Sequence, residues 1–465
     1  MSKVKSGIYW NLIQTIFERG FIFTQQIVLA WILIPEIFGE FASIASTLAV
    51  CSLFSIWGTV EVLTNRYEDF PKIYPEINTI FLGLTILSTF LFIVASISQF
   101  GFDYNNLIAI SIYSISIPFL GFKSIDTTVL NIQGLYSLVS KARILYSFIL
   151  FSSSILLAFL GLELLALILG STFASIFEFF ILRNKTKLRF KISKNYSHIK
   201  RLFIESSYLL GFNLSWRFIN YLDFILVGIL LDSKKAGLYF MAFNLSVQFM
   251  NIFISYMPSV LFSSNIREKL NLKNTYLRVQ KVTLLLTLIG IPFYILLYFY
   301  SDLLTSLILD KNWNGVIPIL KILCLAMIPR IISSQWYLSF LTQKKYRELS
   351  KISILYLISF ALIFTVGTYT FGVEGSAYSI LIFYLTTIVL SKEYMFSNNP
   401  YLKEILIFIL SGLLSFLIFW AFISSDNSLT NLIFGTIFST SLYCVIIYMS
   451  CNKTKNLLID LIYKN

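Results

Sequence analysis

Arginine is poorly suited to the middle of a hydrocarbon layer, and two arginines of this chain fall there. Arg19 lies deep inside an apolar run over 8–33, and Arg217 deep inside one over 203–231. A cation at the bilayer centre costs about 2.5–3.5 kcal/mol on insertion scales. Each arginine is about a dozen residues from either end of its run, roughly 18 Å of helix, which is too far for a guanidinium to reach the interface. Both must face protein or water. Helical spacing puts Asn213, Arg217, Asn220 and Tyr221 on one side of the later run, and Thr15, Arg19 and Gln26 on one side of the earlier one. Glu18 and Asp223 are the nearby acids, and Gln14 and Gln25 add polarity.

One chemistry these residues support is recognition of an anion in a cationic cavity. The other is a buried ion pair, Glu18 with Arg217 or Arg19 with Asp223, that fixes packing. Glu18 or Asp223 could also carry a coupling proton or sodium ion. Arg330, beside Pro329 in a run over 316–340, is a further cavity candidate. Among weaker intramembrane charges, Lys321 is expected to reach toward the interface. Asp126 is expected to pair with Lys123 or cap a helix end, and Glu178 to face the basic stretch 183–201.

No residues suggest catalysis or a metal. The single histidine, His198, sits in a charged loop without partners. Cys51, Cys324, Cys444 and Cys451 are scattered, with no CxxC pair, so neither a disulfide framework nor a metal site is expected. There is no GxxxxGK[ST] phosphate loop. The expectation is a protein with no enzymatic centre and no cofactor.

The elements that position these residues are membrane spans. Of the 465 residues, 57% are apolar and 13% charged, against about 25% charged in soluble domains. With about 20 apolar residues needed per crossing, fourteen spans are expected. They run over 8–33, 41–63, 77–98, 107–131, 143–160, 162–182, 203–231, 238–262, 282–300, 316–340, 352–371, 375–396, 404–424 and 432–450. Tight turns are expected at Gly161 and around Gly372. The first run follows Met-Ser-Lys-Val-Lys without a small-residue cleavage site and reads as an uncleaved span. The fold class is thus an all-α polytopic membrane protein.

The net charge of +13 reports topology, not nucleic acid. With both termini inside, only Lys234, Lys235 and Lys311 of the 36 Lys and Arg fall in outside loops. That is the positive-inside distribution, and it makes anionic membrane lipids the expected partner of the basic loops.

The chain carries an internal repeat. Phe38-Gly39-Glu40-Phe41 recurs as Ala236-Gly237-Leu238-Tyr239 at an offset of 198, which also lays Arg19 on Arg217. A sharper match is Gln133-x2-Tyr136-x3-Ser140-Lys141-x2-Ile144-Leu145-Tyr146 with Gln343-x2-Tyr346-x3-Ser350-Lys351-x2-Ile354-Leu355-Tyr356, where seven of fourteen positions agree at an offset of 210. Six spans per copy make a parallel repeat, the plan of two-lobed transporters. The expected division is 1–198 for an N-lobe with its basic linker, 199–396 for a C-lobe, and 397–465 for two additional spans and a tail.

The pattern Gly7-x2-Trp10-x3-Gln14, then Leu33-x-Pro35-x2-Phe38-Gly39-x-Phe41, resembles the N-terminal pattern of bacterial polysaccharide flippases. So does Asn220-Tyr221-Leu222-Asp223-x3-Val227-Gly228 leading to Ala236-Gly237-Leu238-Tyr239. These are the Wzx-type exporters of O-antigen and capsule repeat units, within the multidrug/oligosaccharidyl-lipid/polysaccharide (MOP) superfamily. The resemblance covers nearly the whole chain in span layout, although its motifs are short. It implies two six-helix lobes around a cavity in the bacterial cytoplasmic (inner) membrane. It implies an undecaprenyl-diphosphate-linked oligosaccharide as substrate, with polysaccharide polymerase machinery as a partner. It makes Arg19 and Arg217, with Arg330 behind them, the cavity cations. Many members have twelve spans, and this chain has fourteen by the reading above.

Relatives within the superfamily are the alternatives: an organic-cation antiporter, against which two mid-bilayer arginines argue, or a peptidoglycan lipid-precursor flippase. A membrane glycosyltransferase or polymerase is the rival of another class. It would need a catalytic acid or metal site and large extramembrane loops, and the outside loops here are short.

Overall fold

A computed structural model describes residues 3–58, 60, 63, 70–207, 210–248, 272–333, 346–390, 402–425 and 429–450. The described residues are helical, with short turns between helices and no strand among them. In chain order the helices are α1 (Lys3–Ile32), α2 (Pro35–Ile56), α3 (Phe70–Phe100), α4 (Tyr104–Ser114), α5 (Ser116–Ile132), α6 (Tyr136–Phe159), α7 (Glu163–Thr186), α8 (Tyr196–Ser207), α9 (Leu210–Leu230), α10 (233–248), α11 (Leu272–Phe299), α12 (Ser301–Ile308), α13 (Val316–Ser333), α14 (Tyr346–Leu390), α15 (Leu402–Ser425) and α16 (Leu429–Ser450).

Nine helical segments among the described residues are long and apolar enough to cross a membrane. One of them, Glu348–Val389, runs for 42 residues, about twice the length one crossing needs. Gly372 breaks it at φ 64° and ψ −144°, backbone space open to glycine and strained for other residues. The chain turns back there, as it does at Gly161 between α6 and α7, where the tight turns were expected. α1 and α9 fall outside the nine. They are the helices that carry Arg19 and Arg217, and polar side chains along them lower their hydropathy. The seventh run divides differently from its expected bounds. Residues 203–207 belong to the preceding α8, whose Lys200 and Arg201 and partly buried Phe203 suit a membrane surface, and the apolar helix itself is α9.

The chain forms two compact units. The first comprises Met1–Met241, Ile308–Trp313 and Tyr346–Ser376, and the second Ala242–Leu307, Asn314–Lys345 and Ala377–Asn465. In the first unit α1 packs on α6, α6 on α7, and α2 on both α3 and α9. One core cluster gathers Ile73, Ile77, Phe81, Phe122, Ile125 and Phe179 from α3, α5 and α7. Another gathers Ile44, Leu48, Phe92, Ile110 and Ile168. Buried hydroxyls donate back to helix carbonyls, as Thr47 does to Ser43 at 2.9 Å and Thr172 to Ile168 at 2.8 Å, so no polar group is stranded in hydrocarbon at those points.

The crossing of α2 and α10 pairs the two copies of the repeat. A Cβ on Gly39 would collide with the carbonyl oxygen of Ser233, and a Cβ on Gly237 with that of Pro35. Residues 35 and 39 become 233 and 237 at the repeat offset of 198, so the contact is reciprocal. Lys234 also lies 3.8 Å from Glu36, its counterpart in the other copy. The Trp31 indole donates to Ile308 O at 2.6 Å and the Trp313 indole to Ala30 O at 2.9 Å, fastening the end of α1 beside this crossing.

The second unit packs α11 against α13 and α15, and α15 against α16. Its core holds Leu284, Ile291, Ile295, Ile405, Phe408 and Tyr443, and the Tyr443 hydroxyl donates to Leu288 O at 3.1 Å. Leu406, Leu410, Leu413, Leu417 and Trp420 stay exposed along α15, at the helical spacing of a lipid-facing stripe.

A charged interior and three half-buried arginines

The first unit holds a chain of charges inside its helices. Glu18 of α1 faces Arg143 of α6, with Oε1 3.0 Å from both Nε and Nη2. Arg143 Nη1 lies 3.3 Å from Glu178 Oε2 on α7. The same oxygen takes Lys123 Nζ of α5 at 2.6 Å. The Tyr146 ring lies under both cations, 5.0 Å from Lys123 and 4.6 Å from Arg143. Glu18 Oε2 accepts from Gln14 at 3.4 Å. Two acids and two bases thus neutralise one another. Charge-assisted bonds of this kind make a buried pair tolerable.

A second knot lies on α3, α5 and α7. Arg183 Nε sits 3.1 Å from Asp126 Oδ2, which is fully buried, and Arg183 donates to the Tyr74 hydroxyl at 3.1 Å. Its guanidinium lies over the rings of Phe122, Phe179 and Phe190. Thr186 donates to Asp126 Oδ1 at 2.7 Å.

These contacts correct two expectations. Asp126 pairs with Arg183, not with Lys123, because Lys123 one turn earlier on α5 is taken by Glu178. Glu178 turns inward to Lys123 and Arg143 instead of facing the basic stretch. Lys321 is partly exposed and pairs with the exposed Asp302 at 2.7 Å. The two ion pairs weighed for the mid-run arginines, Glu18 with Arg217 and Arg19 with Asp223, are also not formed.

Arg19, Arg217 and Arg330 therefore stand apart. None has a carboxylate partner among the described residues, and all three are half-buried. Arg217 lies over the Tyr221 ring at 5.9 Å. Arg330, in the second unit, lies over Tyr384 at 5.5 Å and Phe243 at 6.0 Å and donates weakly to Met327 Sδ at 3.7 Å. Arg19 has the neutral network beside it and no hydrogen bond among the described residues. Asn220 donates to Trp216 O at 2.7 Å, and Thr15 to Asn11 O at 2.8 Å, so both are satisfied by their own helices. Gln26 is half-buried. The side chain of Asn213 lies outside the described residues. Asp223 is buried and accepts from the Tyr239 hydroxyl at 3.0 Å.

The chemistry left open is electrostatic. With the network neutral, Arg19 and Arg217 supply two positive charges to the interior of the first unit. A half-buried guanidinium without a counter-ion is suited to an anionic ligand through charge-assisted hydrogen bonds. Arg143 was missed as an interior residue because the sequence places it among the loop cations beside Lys141. One signal could have flagged it: at the equivalent position the second copy of the repeat has Ser353.

The family described as "Polysaccharide biosynthesis protein" matches residues 28–318. No curated protein matches the sequence. Solved structures share the fold. The lipid II flippase MurJ in an inward closed conformation is 17% identical over 97% of this chain and 100% of that one, with a TM-score of 0.75. An outward-facing multidrug resistance MATE family transporter of the MOP superfamily is 14% identical over 86% of this chain and 97% of that one, with a TM-score of 0.55. A MOP superfamily transporter from Pyrococcus furiosus, noted for the reversed polarity of its binding pocket, is 13% identical over 86% and 97%, with a TM-score of 0.57.

Proposed function

This chain belongs to the polysaccharide biosynthesis protein family, and we propose that it is a flippase moving undecaprenyl-diphosphate-linked oligosaccharide repeat units across the bacterial cytoplasmic membrane for O-antigen or capsule assembly. The observation that carries this reading is that Arg19 and Arg217 have no carboxylate partner among the described residues, beside a network in which Glu18, Glu178, Lys123 and Arg143 neutralise one another. Moving a diphosphate and its sugars through hydrocarbon unpaired is prohibitive. Two guanidiniums in a sheltered interior offset that cost for the head group, while the polyprenyl tail stays in lipid. Alternating access of the two repeat copies completes the movement without covalent chemistry. Arg330, Asn213, Asn220 and Gln26 are proposed as further residues that meet the cargo. Glu18 is committed to Arg143, so Asp223 is the carboxylate proposed to carry a coupling proton or sodium ion. Both termini lie in the cytoplasm, and polymerase machinery receives the unit outside.

The likeness to MurJ over nearly the full chain favours a second reading, a peptidoglycan lipid-precursor flippase, whose cargo shares the polyprenyl diphosphate. Deleting the gene in its host and analysing surface polysaccharide with lipid-linked intermediates separates the two. Loss of the surface polymer, with single repeat units on undecaprenyl diphosphate retained on the cytoplasmic face, is the expected outcome. Lethality with the peptidoglycan precursor trapped inside establishes the second reading. Normal polysaccharide with increased sensitivity to cationic drugs overturns both in favour of an antiporter.

A further inference from the structure

The charge network raises a question that the anion site alone does not answer. Glu18 and Arg19 are neighbours on α1, and Arg143 of α6 meets the Glu18 carboxylate. Side chains one residue apart on a helix do not face each other, and Glu18 turns to Arg143, whose Nε and Nη2 both lie 3.0 Å from its Oε1. It is still the acid nearest Arg19 in sequence. Arg143 is itself fixed from behind by Glu178, which Lys123 shares. The network therefore holds the Glu18 carboxylate at Arg143, so that it makes no ion pair with Arg19.

The two copies of the repeat give an independent argument. At the offset of 198 Glu18 corresponds to Trp216, and at the offset of 210 Arg143 corresponds to Ser353. The copy that lacks the acid next to its mid-run arginine also lacks the base that would restrain it. The first copy has both.

We propose that Arg143 is a positioning residue, holding Glu18 away from Arg19 so that the Arg19 guanidinium stays available to an anionic head group. This deepens the flippase reading and rests on it. Arg143 touches no cargo; its effect is exerted through Glu18. Freed from Arg143, the Glu18 carboxylate swings to the nearest uncompensated cation and closes the site from within.

The test uses the purified full-length chain and undecaprenyl diphosphate as the probe, with affinity and melting temperature measured for the wild type, Arg19→Ala, Arg143→Ala, Glu18→Gln and the Glu18→Gln/Arg143→Ala double variant. Arg143→Ala is expected to bind about tenfold more weakly or worse, whereas Glu18→Gln and the double variant bind within about twofold of wild type. A purely structural Arg143 would lower the melting temperature and the yield but leave the affinity of the folded protein unchanged. Wild-type binding by folded Arg143→Ala overturns the proposal, and so does a double variant that folds but binds about tenfold more weakly. If Arg143→Ala does not accumulate, the double variant decides alone, since it leaves no unpaired charge at position 18. Arg19→Ala keeps the two ideas distinguishable: if it binds as tightly as wild type, the anion-site reading itself fails.

Discussion

α6 and the first part of α14 carry the same stretch of the repeat, with identical residues at Ser140 and Ser350, Lys141 and Lys351, and Tyr146 and Tyr356. Their interiors differ. On α6, Arg143 ties three helices together through two carboxylates, with Tyr146 beneath it. On α14, Ser353 at the equivalent place is 1% exposed and donates to Leu349 O at 2.8 Å, one turn back on its own helix. Tyr356 there is 2% exposed. The repeat supplies a common scaffold, and at this position of it the charge stands in the first copy only.

Six substitutions, in four groups, probe that contrast, from the largest effect to the smallest. Glu178→Ala leaves Lys123 and Arg143 buried around a missing acid. Breaking a buried pair in this way costs about 3–5 kcal/mol, so the melting temperature and the membrane level of the protein should both fall. Next come Arg19→Ala and Arg217→Ala, each expected to abolish surface-polymer export at normal protein level. A hydrogen bond to a charged group contributes roughly 1.5–3 kcal/mol, or roughly 10–150-fold in affinity, which ligand titration would detect. Wild-type export by both variants would remove the anion site.

Gly39→Ala and Gly237→Ala should each cost about 1–3 kcal/mol, because the added methyl meets backbone that must shift. Thermal unfolding is expected to show the double variant costing clearly less than the sum, since each change relieves the contact that the other strains. Ser353→Ala is the smallest, with a loss of about 1 kcal/mol or less for a single hydroxyl-to-carbonyl bond and no change in export. If Ser353→Ala impaired export as severely as Arg143→Ala, the contrast between α6 and α14 would be wrong.

Much of the fold was legible in the sequence because the bilayer enforces it. Long apolar runs must be helices there, and Gly161 and Gly372 announce the turns. Arg19, Arg217 and Arg330 could be singled out because a charge at mid-run has no bland explanation from hydropathy alone. What the sequence hid was pairing. Glu18, Lys123, Arg143 and Glu178 are spread over 160 residues of chain, and nothing in their spacing says that α1, α5, α6 and α7 bring them together. For both Asp126 and Glu178 a cation from another helix, not the nearest basic residue in sequence, holds the position. Long-range partners are decided by helix packing, which a short-range reading does not contain.

The reciprocal crossing at Gly39 and Gly237 has a consequence for how this gene can change. After a duplication the two halves ordinarily drift apart, each accumulating substitutions on its own account. Here each glycine packs against backbone one turn before the other, Gly39 on the Ser233 carbonyl and Gly237 on that of Pro35, so neither half can add bulk at this point without moving the other half's backbone. Among related genes these two sites should vary together or not at all, and this point of the duplication should keep its ancestral likeness after the surrounding halves have diverged.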